Sequence, residues 1–435
     1  MAAAAPRRTP ATHASPDRSG WVDRWLASCA DLDELRRSNP MSDAVIDEID
    51  GRRIKIGDRW LVDFASCNYL GFDLDREIAA AIPRYVERWG THPSWSRLLG
   101  SPALYTEIEE GLTALLGCDD TLVLPTITLI HLSVIPVLAG GGTVFVDRRA
   151  HKTIYEGCQF ASIRGTRIER FEHDDAEDLE RLLRKDRSKT RLICMDGVNS
   201  MTGNAPELPV FAELARRYEA ILYVDDAHGF GVIGERRSEE TSPYGMRGNS
   251  IVRYFGESYE NIVFVAGLSK AYSSLAAFIA CPTEIKQLLK TAAPPYLYSG
   301  PSPVASLATT LAALDVNDRR GDVLRTGLWE KTDRVLRCLD ELGVYTPNVS
   351  GFPIVEVPLA HHEDIGDVGR FLFERGIYVT LAAYPLVPRH EVGFRVQITA
   401  ANNDEEIDKL TDTLQELAVA FDLQPAGPRR NEAAA

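Results

Sequence analysis

The sequence predicts an α/β protein in which a large domain holds a mostly parallel sheet and a smaller α+β unit follows it. Three features predict it: short apolar runs without polar alternation, helical periodicity between them, and a change of texture near Asp315. The runs are TLVL (121–124), TVFV (143–146), RLICM (191–195), AILYV (220–224) and NIVFVA (261–266). Unbroken Val, Ile and Leu suits strands covered on both faces. Between the third and fourth runs, Pro209 to Glu219 places Val210, Phe211, Leu214, Ala215 and Tyr218 at helical spacing. Strand, helix, strand in that order means parallel pairing through right-handed crossovers. Beyond Asp315 a long helical segment (320–342) leads to short strands at PIVEV, GIYVTL and FRVQIT, then to a last helix from Asn403 to Ala420. The expected division is a large domain over 68–310 and a small one over 311–422, with an N-terminal segment at 21–67 and disordered tails at 1–20 and 423–435.

Composition narrows the function. The chain has 435 residues, with 48 Lys plus Arg against 63 Asp plus Glu, a formal net charge of −15. So acidic a surface is ill suited to nucleic acid, whose phosphates demand clustered cations. No run approaches the ~18 apolar residues of a membrane span. The longest, Leu129 to Ala139, is interrupted by His131, Ser133 and Pro136. The N-terminus lacks the contiguous apolar stretch of a secretory signal. The 7 cysteines are odd in number and never spaced C-x-x-C, which fits reduced thiols in the cytoplasm better than disulfides or a zinc knuckle.

In α/β sheets, ligands sit outside the carboxyl ends of the strands, so the residues following each run carry the functional signal. After AILYV comes Asp225-Asp226-Ala227-His228-Gly229. These are suitable metal ligands, but no third one follows at a recognisable spacing, and no metal is expected. Other readings are a helix N-cap or a carboxylate that holds a heteroaromatic ring nitrogen protonated. After NIVFVA comes Gly267-Leu268-Ser269-Lys270. An ammonium straight after a buried strand needs a reason, and a partly desolvated amine is a Schiff-base nucleophile. A Schiff-base lysine together with an aspartate for a pyridinium nitrogen is the pattern of pyridoxal 5′-phosphate. After TVFV, Asp147-Arg148-Arg149-Ala150 leads to His151, whose flat ring can stack on the pyridine.

With those residues in place, the chain resembles the α-oxoamine synthase family of fold-type-I pyridoxal-phosphate transferases, and within it the serine palmitoyltransferases. Seven segments carry the resemblance in order: SCNYLGF (66–72), HKTIYEGCQ (151–159), DGVNSMTGNAPELP (196–209), VDDAHGFGVIG (224–234), GLSKAY (267–272), GIYVTLAAYP (376–385) and FRVQITAANN (394–403). The resemblance implies that Lys270 forms the Schiff base and moves protons at the substrate α-carbon. It gives Asp225 the pyridine nitrogen, His228 and Ser200 the phenolic oxygen, and His151 the ring face. Arg395 would bind the amino-acid carboxylate as a bidentate fork, with Asn68 beside the substrate. The phosphate would rest on the helix N-terminus at Thr126 and Ile127, with Ser269, and with Ser299 reaching across from a second copy.

Several positions depart from the family pattern. Pro125-Thr126 stands where Ser-Gly is usual, Gly267 where a threonine is, and Gly300 replaces the partner subunit's threonine. Asp196 and Asn402 stand in place of a glutamate and a histidine. The implied activity is decarboxylative condensation of an α-amino acid with an acyl thioester, on coenzyme A or a carrier protein, giving an α-amino ketone and carbon dioxide. The alternative is transamination or aldol-type cleavage on the same scaffold. A homodimer with sites at its interface is expected.

Overall fold

The computed structural model describes residues 29–240 and 242–426, together with Gly20 and Ala27. Nearly all of the tail expected at 1–20 therefore lies outside the described residues. After a helix over Ala30–Ser38 comes an antiparallel meander, β1 (Glu48–Asp50), β2 (Arg53–Ile56) and β3 (Arg59–Asp63). Its two tight turns pass through Gly51 and Gly57, whose positive φ a side chain would resist.

Seven strands build the main sheet: β4 (Asp120–Leu124), β5 (Thr143–Asp147), β6 (Arg167–Phe171), β7 (Arg191–Asp196), β8 (Ile221–Asp225), β9 (Ile262–Gly267) and β10 (Ala277–Cys281). Their spatial order is β4-β10-β9-β8-β7-β5-β6. The five apolar runs are all strands, each within a residue of its expected bounds. Two further strands were not expected. β6 is a partly exposed edge strand whose sequence RIERF is mostly polar. β10 is why the sheet is mostly rather than wholly parallel: it pairs antiparallel with both β9 and β4. Only residues 268–276 separate it from β9, too few for a crossover helix, so the chain turns straight back.

Alternate residues feed the two faces of this sheet. Phe145, Ile193, Val224 and Phe264 pack into one core cluster, while Val144, Leu192, Tyr223 and Val263 pack into the other. Helices cover both faces: α1 (Ile127–Ala139), α2 (Lys152–Ser162) and α3 (Leu208–Arg217), the last matching the helix expected there. Since β10 alone runs against the rest, β4, β5, β7, β8 and β9 deliver their carboxyl ends to one edge.

The helical segment expected at 320–342 is the second half of α4, 38 residues from Val304 to Glu341. The domain boundary expected at 310/311 falls inside this helix. Beyond it, β11 (Ile354–Pro358), β13 (Thr380–Ala382) and β14 (Gly393–Gln397) form an antiparallel sheet. The single strand expected at GIYVTL is two: β12 (Ile377–Tyr378) leaves that sheet and pairs in parallel with β3. The final helix, α5 (Asp404–Ala420), matches the helix expected from Asn403 to Ala420 and starts at an Asn403–Glu406 capping box. The tail expected at 423–435 does not begin at 423. Leu423 and Pro425 form bridges to Leu359 and Val344, which hold the chain down through Ala426. Among the described residues, no helix is long and apolar enough to cross a membrane.

Candidate active site

The carboxyl edge of the sheet gathers most of the residues singled out above. Ile127, His151, Asp196, Val198, Ser200, Asp225, Ala227, His228 and Lys270 line one pocket with about 310 Å³ of empty space, part of it open to solvent. Each side chain is delivered by a strand end: His151 follows β5, Asp196 ends β7, Asp225 ends β8 and Lys270 follows β9.

Asp225 is 7% exposed. One carboxylate oxygen accepts the Ala227 amide at 3.0 Å and the other lies 2.9 Å from His131 Nε2. Burial opposes its charge, but the His131 hydrogen bond and the nearby Lys270 ammonium outweigh burial and hold the carboxyl below its ordinary range. Asp196, its register partner on β7, moves the other way. Burial and the Asp225 charge push it well above the usual carboxylate range, with only the His151 amide, at 3.0 Å, hydrogen-bonded to it. The pair therefore holds one charge, on Asp225, and one proton, on Asp196.

The acidic and imidazole side chains of the DDAHG segment turn to different partners. Asp226 accepts the Ile251 amide at 2.9 Å and the Val198 amide at 3.3 Å, away from the pocket. His228 instead takes Tyr69 Oη on Nδ1 at 2.7 Å. Burial, followed by the Lys270 charge, depresses the His228 pKa well below that of a free histidine, so the ring is neutral. A neutral ring that accepts the Tyr69 hydroxyl on Nδ1 keeps its proton on Nε2 as a donor.

His151 caps α2, its Nδ1 2.7 Å from Thr153 Oγ1, which fixes the ring while leaving it exposed. Burial of the site lowers its pKa as well. Thr126 caps α1 by accepting the Leu129 amide at 3.3 Å, leaving the first-turn amides beside Ile127 without intrahelical partners. Ser269 lies at the same corner. A Cβ added to Gly267 would meet Ser269 Oγ at 3.6 Å and the Cβ atoms of Ile127 and Ala227 at 3.8 Å. All are ordinary contacts, so a small side chain would be accommodated at this position.

Three expected site residues are placed differently. Asn68 is tied to Asp73 at 3.0 Å and to Ser273 at 3.0 Å and does not line the pocket. Ser299 lies outside it, beside a Tyr298 that is 80% exposed. Arg395 is not a free fork. It donates to the Ser200 carbonyl, and Gln397, in the amide orientation that satisfies both ends, accepts from Nε at 3.2 Å and Nη2 at 2.8 Å. Two residues were missed. Tyr69 stands inside the SCNYLGF segment, where its tyrosine was quoted but given no role. His131 sits in an apolar helix and offered only the interruption it makes in that run.

The family model described as aminotransferase class I and II matches residues 61–414. A putative 8-amino-7-oxononanoate synthase of Desulforudis audaxviator is 34% identical over 353 residues, 81% of this chain and 88% of that protein. The 8-amino-7-oxononanoate synthase of Thermosipho melanesiensis is 31% identical, covering 83% and 87%. The chain belongs to the aminotransferase class I and II family, and within it to the α-oxoamine synthases. Solved structures share its fold. The serine palmitoyltransferase of S. paucimobilis superposes with a TM-score of 0.84 at 23% identity, covering 93% of this chain and 99% of that one. An α-oxoamine synthase is a pyridoxal-phosphate-dependent acyltransferase, and this chain is such an enzyme.

The pocket fits that cofactor. It combines a buried anionic carboxylate, an amine, a neutral histidine donor, an open imidazole face and a helix N-terminus on one rim. Those are the groups needed by a pyridine nitrogen, an aldehyde, a phenolic oxygen, a ring face and a phosphate.

Proposed function

We propose that this chain condenses an α-amino acid with an acyl thioester, releasing carbon dioxide and free thiol and leaving vicinal amino and oxo groups in the product. The 8-amino-7-oxononanoate in the relatives' name has the same vicinal pattern. The observation that carries the site assignment is the meeting of Lys270, Asp225, His228 and His151 in one pocket.

The roles follow from the chemistry of each side chain. Asp225, kept ionised, would hold the proton on the pyridine nitrogen. His228 Nε2–H would donate to the phenolic oxygen. His151 would cover one ring face, and the first amides of α1 with Ser269 would take the phosphate. When bound, the cofactor supplies an electron sink for the charge left at the substrate α-carbon. The Lys270 amine would then remove and return the proton at that carbon. Arg395 would bind the substrate carboxylate by exchanging its contacts to Gln397 and the Ser200 carbonyl for the incoming oxygens. A second copy of the chain would complete the phosphate side of the pocket, which in one protomer lacks Ser299.

The test is a matrix of amino acids against acyl thioesters on coenzyme A and on a carrier protein, with carbon dioxide, free thiol and product mass followed together. Matched release of thiol and carbon dioxide, strictly dependent on both substrates, is the expected result. Keto acid formed without either would overturn the assignment.

A further inference from the structure

Behind Asp225 stands a histidine that none of these roles uses. His131 is on α1, in the stretch Ile127–Ala139 whose other buried side chains are mainly apolar, and it is 0% exposed. Burying an imidazole there is unfavourable unless both nitrogens are satisfied, and both are. Nε2 lies 2.9 Å from Asp225 Oδ2 and Nδ1 lies 2.8 Å from Tyr223 Oη. Tyr223 is itself 0% exposed and sits on β8, two residues before Asp225. The strand's alternation turns both side chains towards α1.

The chain of partners fixes the direction of the protons. Burial pushes the Tyr223 hydroxyl well above its ordinary pKa, so it keeps its proton. A hydroxyl that keeps its proton can donate it to Nδ1. A neutral imidazole accepting there carries its own proton on Nε2 and donates it to an ionised Asp225. A reversed tautomer would set two acceptors against each other across 2.9 Å.

We propose that His131, locked in its Nε2–H tautomer by Tyr223, is the positioning residue that orients Asp225 and keeps it anionic for the pyridine nitrogen of the cofactor. The assignment rests on the pyridoxal-phosphate reading of the pocket and extends it to a residue that does not line it. The outer partner of a ligating group commonly orients it in the same way.

The experiment measures the affinity of the apoprotein for pyridoxal 5′-phosphate by titration, and the imidazole tautomer by nitrogen-15 NMR where His131 is present, in the parent and in variants of His131, Asp225 and Tyr223. His131→Leu removes the donor and is expected to weaken cofactor binding on the order of tenfold or more, the size of a lost hydrogen bond to a buried charge. His131→Gln, whose amide nitrogen reaches the Nε2 position, restores binding to within about threefold of the parent. In an Asp225→Asn background, His131→Leu has less than about a twofold effect, because the two residues act as one unit. Should the Leu variant fail to fold, Tyr223→Phe serves instead: it leaves the buried Nδ1 without its partner and is expected to weaken binding.

Equal cofactor affinity in the parent and His131→Leu, or an equal deficit in the Gln and Leu variants, overturns the proposal. So does an unchanged affinity in Tyr223→Phe. A parent protein that binds no pyridoxal phosphate overturns the underlying reading instead, so the two failures are distinguishable.

Discussion

Replacing Glu356 with glutamine should make the protein more stable in mild alkali and leave it unchanged in mild acid. Glu356 lies in the middle of β11, opposite Arg395 in the register, and is only 2% exposed. Its Oε1 has no hydrogen-bond partner among the described residues. Burial, reinforced by Glu391 and opposed by Arg149 and Arg395, lifts its pKa from 4.5 to about 7. A displacement of that size corresponds to roughly 3 kcal/mol, an upper bound for the penalty of ionising this carboxyl in the folded chain. Below pH 4.5 the group is protonated in both folded and unfolded states and carries no penalty. Between 4.5 and about 7 the unfolded chain releases the proton while the folded chain retains it, so stability falls as pH rises. Above that window the full penalty applies. Glutamine keeps the shape without the charge, so urea unfolding at pH 8 should show a gain of about 1–3 kcal/mol that shrinks through the window and disappears by about pH 4. Equal stabilities at pH 8, or a gain that persists undiminished at about pH 4, would refute the placement of a strained carboxyl beside Arg395.

Three other outcomes follow from the same geometry. Lys270→Ala should reduce thiol release at least about a thousandfold while leaving the fold intact, as circular dichroism and thiol titration would show. Tyr69→Phe removes the donor that fixes His228, and should cost about 1–2 kcal/mol by chemical denaturation, together with a measurable loss of turnover. Asp186 accepts from Thr143 at 2.8 Å, Ser188 at 3.0 Å and Arg191 at 3.0 Å, which despite its burial holds its carboxyl down at about 2. Its contribution is present above the ordinary 3.8 and lost as pH falls towards about 2. Asp186→Asn should therefore lose about 2–4 kcal/mol at neutral pH and flatten the acid limb of the stability profile. An unchanged acid limb would exclude Asp186 as the anchor of that corner.

What the sequence revealed depended on whether local pattern or tertiary pairing decided the outcome. Unbroken apolar runs marked β4, β5, β7, β8 and β9 because strands buried on both faces need nothing else. Lys270, Asp225 and His151 were legible because each directly follows such a run. β10 was not, since its direction is set by the shortness of the loop after Lys270 rather than by its own residues. GIYVTL reads as one strand, yet Ile377 and Thr380 pair in different sheets, a choice that only the neighbouring strands make. His131 and Glu356 were missed for a common reason. Each is a polar residue in a mainly apolar element, and only the fold brings Asp225 to the first and Arg395 opposite the second. Asn68 shows the reverse case: its motif suggested a substrate contact, while Asp73 and Ser273 hold its side chain.

The long helix α4 constrains how this protein can be dissected. Its 38 residues extend for roughly 57 Å at the usual rise, and its buried positions run from Val304 to Leu339. Cutting the gene at codon 310 or 311 would sever the helix in its second turn and leave two fragments with bare apolar faces. A split expression system, a fluorescent insertion or a limited-proteolysis map should instead place the break before Pro303, where the helix has yet to begin.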